Sequence, residues 1–274
     1  MKYIVVCVVV LALCLFAGAF IVRFAQRKAK ATWPVWLRAL LSALCGLVLM
    51  VAVGVGYLQV YQHATPEALA ALDGTEEVSV AETPNGWLFD GPGTQTAFVL
   101  YPGAKVEAAA YAPLACRISS LGVDCFVVRM PFRVAALDAD AAGVLMDSYD
   151  YEHWMVGGHS LGGAVAAGFA ADHADQVEGL VLLASYATQP IDERVSVVSI
   201  YGDCDGVLDL EAYEENARNL PPDTSEVVIE GGNHANFGNY GKQPGDNQAE
   251  VSAEVQQKQT TSAIAHAATV IQGT

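Results

Sequence analysis

Ser160 stands in Gly157-Gly158-His159-Ser160-Leu161-Gly162-Gly163, a G-x-S-x-G pattern. A short apolar run (154–158) precedes it and a helix-compatible run (161–173) follows. A strand-to-helix turn this tight leaves no room for side chains at Gly158 and Gly162 and lifts the serine hydroxyl out at the top of a sheet. A helix opening at Leu161 also points free N–H groups at that hydroxyl, which favours an anion forming there. The chemistry implied is attack of an alkoxide-like oxygen on an acyl carbon, and that requires a base to take the hydroxyl proton.

Six histidines could be that base. His63 lies in the N-terminal part, His153 and His173 at the far ends of a predicted strand and helix, and His266 in the C-terminal helical tail. His159 adjoins the serine, but the elbow turns its side chain away. His234 remains, in Glu230-Gly231-Gly232-Asn233-His234-Ala235-Asn236-Phe237-Gly238, a loop after the last predicted strand at the edge where Ser160 sits. An acid should hold the imidazole in the correct tautomer. The loop Gly202-Asp203-Cys204-Asp205-Gly206-Val207 offers two, and Asp205, three residues past Gly202 and followed by glycine, is preferred over Asp203. For the two backbone donors of an oxyanion site, the amide of Leu161 follows the nucleophile directly. The second is expected from Tyr101-Pro102-Gly103-Ala104-Lys105, at Ala104, with Lys105 a solvated charge. Phe237, Tyr240 and Tyr186 are expected to line the substrate site. Histidines and acids show no close ligand spacing, so neither metal nor cofactor is expected.

These residues need a scaffold, and the chain has the pattern of one. Residues 77–90 alternate around Pro84-Asn85-Gly86, a hairpin signal. Short Val/Ile/Leu-rich runs at 97–101, 125–129, 154–158, 179–184, 195–201 and 226–230 then alternate with helical stretches at 107–121, 138–148, 161–173, 209–220 and 249–271. Runs apolar on both faces are buried strands, so the fold class is α/β, a mostly parallel sheet flanked by helices. Only ten residues separate 184 from 195, too few for a large lid.

Charge divides the chain in two. Of 14 basic and 30 acidic residues, the first 66 positions hold six basic and no acidic ones, leaving −22 on the remainder. A domain this acidic is repelled by phosphate, so no nucleic-acid partner is expected. The N-terminal part carries two uncharged apolar runs, 3–22 and 39–60, each about 30 Å long as a helix, the thickness of a hydrocarbon core. Arg23, Arg27, Lys28, Lys30 and Arg38 lie between them, and basic residues in short loops stay cytoplasmic. The expected organisation is a membrane anchor at 1–64 inserted in the lipid bilayer, a linker at 65–76 and a catalytic domain at 77–274 outside the cytoplasm. Six cysteines are too sparse for a disulfide scaffold. Whether Cys116 and Cys125 pair is left open, and Cys7, Cys14 and Cys45 read as small apolar residues of the anchor.

Taken in order, Tyr101 to Val106, Gly157 to Gly163, Gly202 to Val207, and Gly231 to Gly241 with Gln243-Pro244-Gly245-Asp246 resemble the α/β-hydrolase superfamily. More narrowly they are similar to membrane-anchored or secreted bacterial hydrolases of the dienelactone-hydrolase-like group, over about residues 75–272. The resemblance implies an α/β-hydrolase fold and the chain order serine, acid, histidine, hence a Ser-Asp-His serine esterase acting on a small ester-like substrate. Two departures stand out. Tyr101-Pro102-Gly103 replaces the His-Gly of many esterases, and Ser160 stands where dienelactone hydrolases proper carry cysteine. The competing reading is a catalytically silent hydrolase fold serving as a surface binding module.

Overall fold

The computed structural model describes residues 2–30 and 32–273, with side chains from residue 9 onward. It contains two compact units that divide between Val60 and Tyr61.

The first unit is a pair of helices, α1 (Lys2–Ala29) and α2 (Val35–Leu58), packed on each other. Both are long and apolar enough to cross a membrane. Leu13, Phe16, Phe20, Phe24, Leu40 and Val48 remain more than half exposed, a surface that water tolerates poorly and lipid accepts. The helices overrun the expected limits: α1 continues through Arg23, Arg27 and Lys28, whose charges suit a helix C-terminus. Similarly α2 begins four residues early, directly after Pro34, whose ring fixes the extended chain that enters it.

The second unit starts at Tyr61. The stretch expected to be a linker is part of it. Gln62 donates to the Lys105 carbonyl (2.7 Å) and accepts from the Glu107 amide (2.9 Å), and Thr65 donates to the Asn239 carbonyl (2.8 Å). The Arg133 guanidinium lies over the Tyr61 ring. Thr65 caps a short helix, α3 (Pro66–Ala70), by accepting from the Ala68 amide, and Ala68 is fully buried. Polar, short-range signals there read as a connector, whereas backbone pairing to a distant loop decides the outcome.

An eight-stranded sheet follows: β1 (Ser79–Thr83), β2 (Gly86–Asp90), β3 (Thr96–Tyr101), β4 (Asp124–Val128), β5 (His153–His159), β6 (Gly179–Leu183), β7 (Ser196–Gly202) and β8 (Ser225–Ile229). Its order is β1-β2-β4-β3-β5-β6-β7-β8. The hairpin strands run antiparallel to their neighbours, and β4, β3 and β5 to β8 are parallel. Every residue of β3, β4 and β6 is buried, as expected of strands covered on both faces. The covering helices are α4 (Ala112–Ser120), α5 (Ala141–Met146), α6 (Leu161–Asp172), α7 (Leu210–Asn216) and α8 (Ala253–Gln272). One apolar cluster, with Phe98, Leu100, Met155 and Ile264, fills one face of the sheet, and another, with Val99, Phe126, Val156 and Phe169, fills the other. The helix expected over 107–121 is broken at Tyr111 because Pro113 has no N–H to bond back along it.

Candidate active site

All parallel strands end on one edge, and the loops leaving β3, β5, β6, β7 and β8 meet there, the usual location of sites on such sheets. Ser160 lies between the end of β5 and the start of α6, with φ 53° and ψ −126°. That conformation is unfavourable for an L-residue and must be held by its surroundings. The Ser160 amide donates to the Leu183 carbonyl (2.9 Å), and its carbonyl accepts from the Ser185 hydroxyl (2.7 Å) and the Ala164 amide (3.2 Å). A Cβ at Gly158 or Gly162 would collide with the Tyr101 carbonyl, so both glycines are required for the elbow to seat against β3. Ser185 was not singled out from sequence; its only signal was a hydroxyl residue just past a buried strand.

His234 follows β8, as expected. Its Nδ1 is 2.8 Å from Asp205 Oδ2, and both side chains are about 1% exposed. The other Asp205 oxygen accepts from the Val207 and Leu208 amides, both at 2.7 Å, which fixes the carboxylate plane. Asp203 points elsewhere, accepting from the Gly231 amide at 2.7 Å. His234 Nε2 is buried and has no hydrogen-bond partner among the described residues. The residue lines a cleft of about 350 Å³ whose walls also include Ser160, Leu161, Ala184, Tyr186 and Val207. The structure thus gathers Ser160, His234 and Asp205 at one place, with serine and imidazole on a shared cavity wall.

Of the expected oxyanion donors, the Leu161 amide opens α6, where no preceding turn supplies an acceptor. In the Tyr101–Lys105 turn the Gly103 amide donates to the Tyr111 hydroxyl (3.0 Å) and the Lys105 amide to the Arg133 carbonyl (2.8 Å). Among the described residues no acceptor takes the Ala104 amide, and Ala104 is exposed. His159 does turn away from Ser160, but it stays within the site. Its Nδ1 is 2.8 Å from the Tyr111 hydroxyl, and its ring centroid is 4.4 Å from that of His234. Tyr111 accepts from Gly103 and shares a hydrogen bond with His159 Nδ1, which its O–H donates in the tautomer that carries the imidazole proton on Nε2. Burial, reinforced by the His234 ring, holds His159 well below the ordinary histidine range, so it is neutral.

Two expected lining residues are corrected. Phe237 is fully buried and Tyr240 nearly so, both in the core and both against the His159 ring, whereas Tyr186 does line the cleft. Their loop turns its aromatic side chains inward because the turn Ala235–Phe237 packs over the sheet, with Ala235 also buried. Cys116 and Cys125 are free thiols, and burial pushes Cys116 up to about 11. Cys14, Cys45 and Cys204 are also free, and the Cys7 side chain lies outside the described residues.

Comparison with solved structures finds the same fold in the dienelactone hydrolase from Anabaena variabilis, with TM-score 0.51 and 15% identity, covering 70% of this chain and 97% of that one. It finds it also in TT1662 from Thermus thermophilus, with TM-score 0.53 and 12% identity over 69% and 98%. No curated protein matches the sequence. Residues 97–258 match the model of the alpha/beta hydrolase family. That match spans more than half of the chain and takes in the parallel strands, the elbow and the histidine loop just described, so the chain belongs to the alpha/beta hydrolase family.

Proposed function

We propose that the protein is a serine hydrolase cleaving small carboxylic esters through Ser160, His234 and Asp205. The observation that carries this reading is His234, bonded to Asp205 through Nδ1, with Nε2 unpartnered among the described residues, in the wall of the cleft it shares with Ser160. In this reading Nε2 takes the Ser160 proton as Oγ attacks the ester carbon. The amides of Leu161 and Ala104 bind the oxyanion. Collapse expels the alcohol, which receives its proton from the imidazolium, and water then repeats both steps on the acyl-enzyme. The cleft walls are mainly apolar, and no helix interrupts residues 184–195, which suits a short acyl group in a site open to water. A fluorophosphonate probe should label the protein at Ser160. Ser160→Ala should abolish both labelling and ester hydrolysis with the fold retained, a loss of about 10⁶ in kcat by analogy with other triads. Hydrolysis surviving that substitution excludes Ser160 as nucleophile.

The two apolar helices are proposed as membrane spans with the basic segment 23–38 in the cytoplasm, which puts the catalytic unit outside it. The −22 charge on residues 67–274 disfavours contact with anionic headgroups, so the substrates are soluble or wall-associated.

A further inference from the structure

The segment Gln243-Pro244-Gly245-Asp246 has no role in the chemistry above, yet Asp246 touches both loops that deliver it. We infer that Asp246 is a positioning residue whose carboxylate holds the Asp205–His234 pair in register, an inference that rests on the triad reading. Asp246 Oδ1 accepts from the Gly206 amide (3.1 Å), the His234 amide (3.3 Å) and its own neighbour Asn247 (3.0 Å). Its Oδ2 accepts from the Ala235 amide (2.8 Å). Gly206 is the residue after Asp205, so one carboxylate grips the backbone on either side of the 2.8 Å bond between Asp205 and His234. The sheet does not supply this restraint. The ladder between β7 and β8 ends at Gly202 and Ile229, and among the described residues the only backbone bonds across the two loops beyond it are from Asp203 to Ile229 and from Cys204 to Gly232, both before Asp205.

Packing agrees with the bonding. A Cβ at Gly206 would lie 2.8 Å from the Asn247 amide nitrogen and the Gly245 carbonyl oxygen, so the acid loop sits flush against this segment. Gly245 itself takes φ +91°, the turn that brings Asp246 inward. Four N–H donors converge on one carboxylate, and an amide cannot replace it: Asn has one acceptor oxygen and presents N–H₂ to an amide that needs an acceptor.

The test uses the full chain in detergent micelles with p-nitrophenyl acetate as probe. Asp246→Asn should lower kcat on the order of 100-fold, as for a catalytic group displaced by about 1 Å, with KM changed less than about threefold. In an Asp205→Asn background, where the bond being held is already spoiled, the same change should cost less than about threefold more. A purely structural residue would instead lower the melting temperature and leave kcat in place. Wild-type kcat in folded Asp246→Asn, or a fully additive loss in the double variant, overturns the inference while leaving the triad intact. Full activity in Asp205→Asn overturns both. If Asp246→Asn shows no cooperative thermal transition, Asp246→Glu keeps the charge but overreaches by a methylene. It should then retain the fold and lose about tenfold in kcat, by the same sensitivity to placement, and unchanged kcat overturns the inference.

Discussion

Asp203 and Asp205 lie two positions apart on one loop, and their carboxylates have separate partners, the Gly231 amide for one and His234 for the other. Asp205→Asn should therefore reduce kcat by about 10⁴ through the wrong imidazole tautomer, with the melting temperature nearly unchanged. Asp203→Ala should leave kcat within a few-fold and cost about 1–2 kcal/mol of stability by orphaning a half-buried amide. Kinetics and thermal unfolding of the two variants check the assignment, and the reverse ranking would show the roles exchanged. His159 gives a pH dependence of known sign. Its folded-state pKa is depressed, so at mildly acid pH the unfolded chain takes up a proton the folded one refuses. Stability is then full above about pH 6.5 and falls on acidification by up to about 1.4 kcal/mol per pH unit until the folded-state pKa is passed. His159→Asn keeps an acceptor for Tyr111 but cannot titrate, and denaturation curves from pH 7 to 5 should show its dependence reduced by one proton. At this scale the meeting of Ser160, His234 and Asp205 at one sheet edge was legible because glycines punctuate their turns and strands place them. Phe237 and Tyr240 were not, since a sequence tells which loop a side chain belongs to but not which side of the loop meets the core.

Elements carry the site through their ends. The strands were legible almost to the residue, because runs of Val, Ile and Leu buried on both faces have few other interpretations. Helix limits were less so: the stretch expected over 138–148 is helical only from Ala141 to Met146, and that over 209–220 finishes as a 3₁₀ turn before Pro221. Local hydrogen-bond geometry at helix ends has no strong periodic signature. The largest unforeseen contribution comes from α8. Gln256, fully buried, accepts from the Asn233 amide (3.0 Å) and donates to the Asn233 carbonyl (2.7 Å), gripping the peptide next to His234. Gln257 similarly donates to Asn236 and Asn239. Gln256→Leu should cost about 2–4 kcal/mol, since it buries an unpaired N–H and C=O together. It should also lower kcat, measurable by denaturant titration and steady-state kinetics; wild-type stability would show that the loop holds its shape without the helix.

The chain joins an apolar helical pair to an acidic hydrolase unit, and the proposal that the latter lies outside the cytoplasm rests on the charge of the segment between the helices. A membrane-impermeant amine reagent added to intact cells should modify the exposed Lys242 and Lys258; modification only after lysis reverses the orientation. The division into an apolar helical pair and an α/β unit was legible from hydropathy, and the hydrolase family from the ordered motifs. The position of the boundary was not, because nothing in residues 61–65 announces that they pair with a loop some forty positions ahead. That pairing has a consequence for how the enzyme could ever leave the cell. Gln62 is bonded on both sides of Val106, in the loop that carries Ala104, only four residues past the end of α2 at Leu58. Under the proposed topology, a surface protease cutting beside Gln62 would set the domain free and loosen the loop that carries Ala104. Under the proposed topology and triad, a domain shed in this way should hydrolyse esters more slowly than the anchored chain.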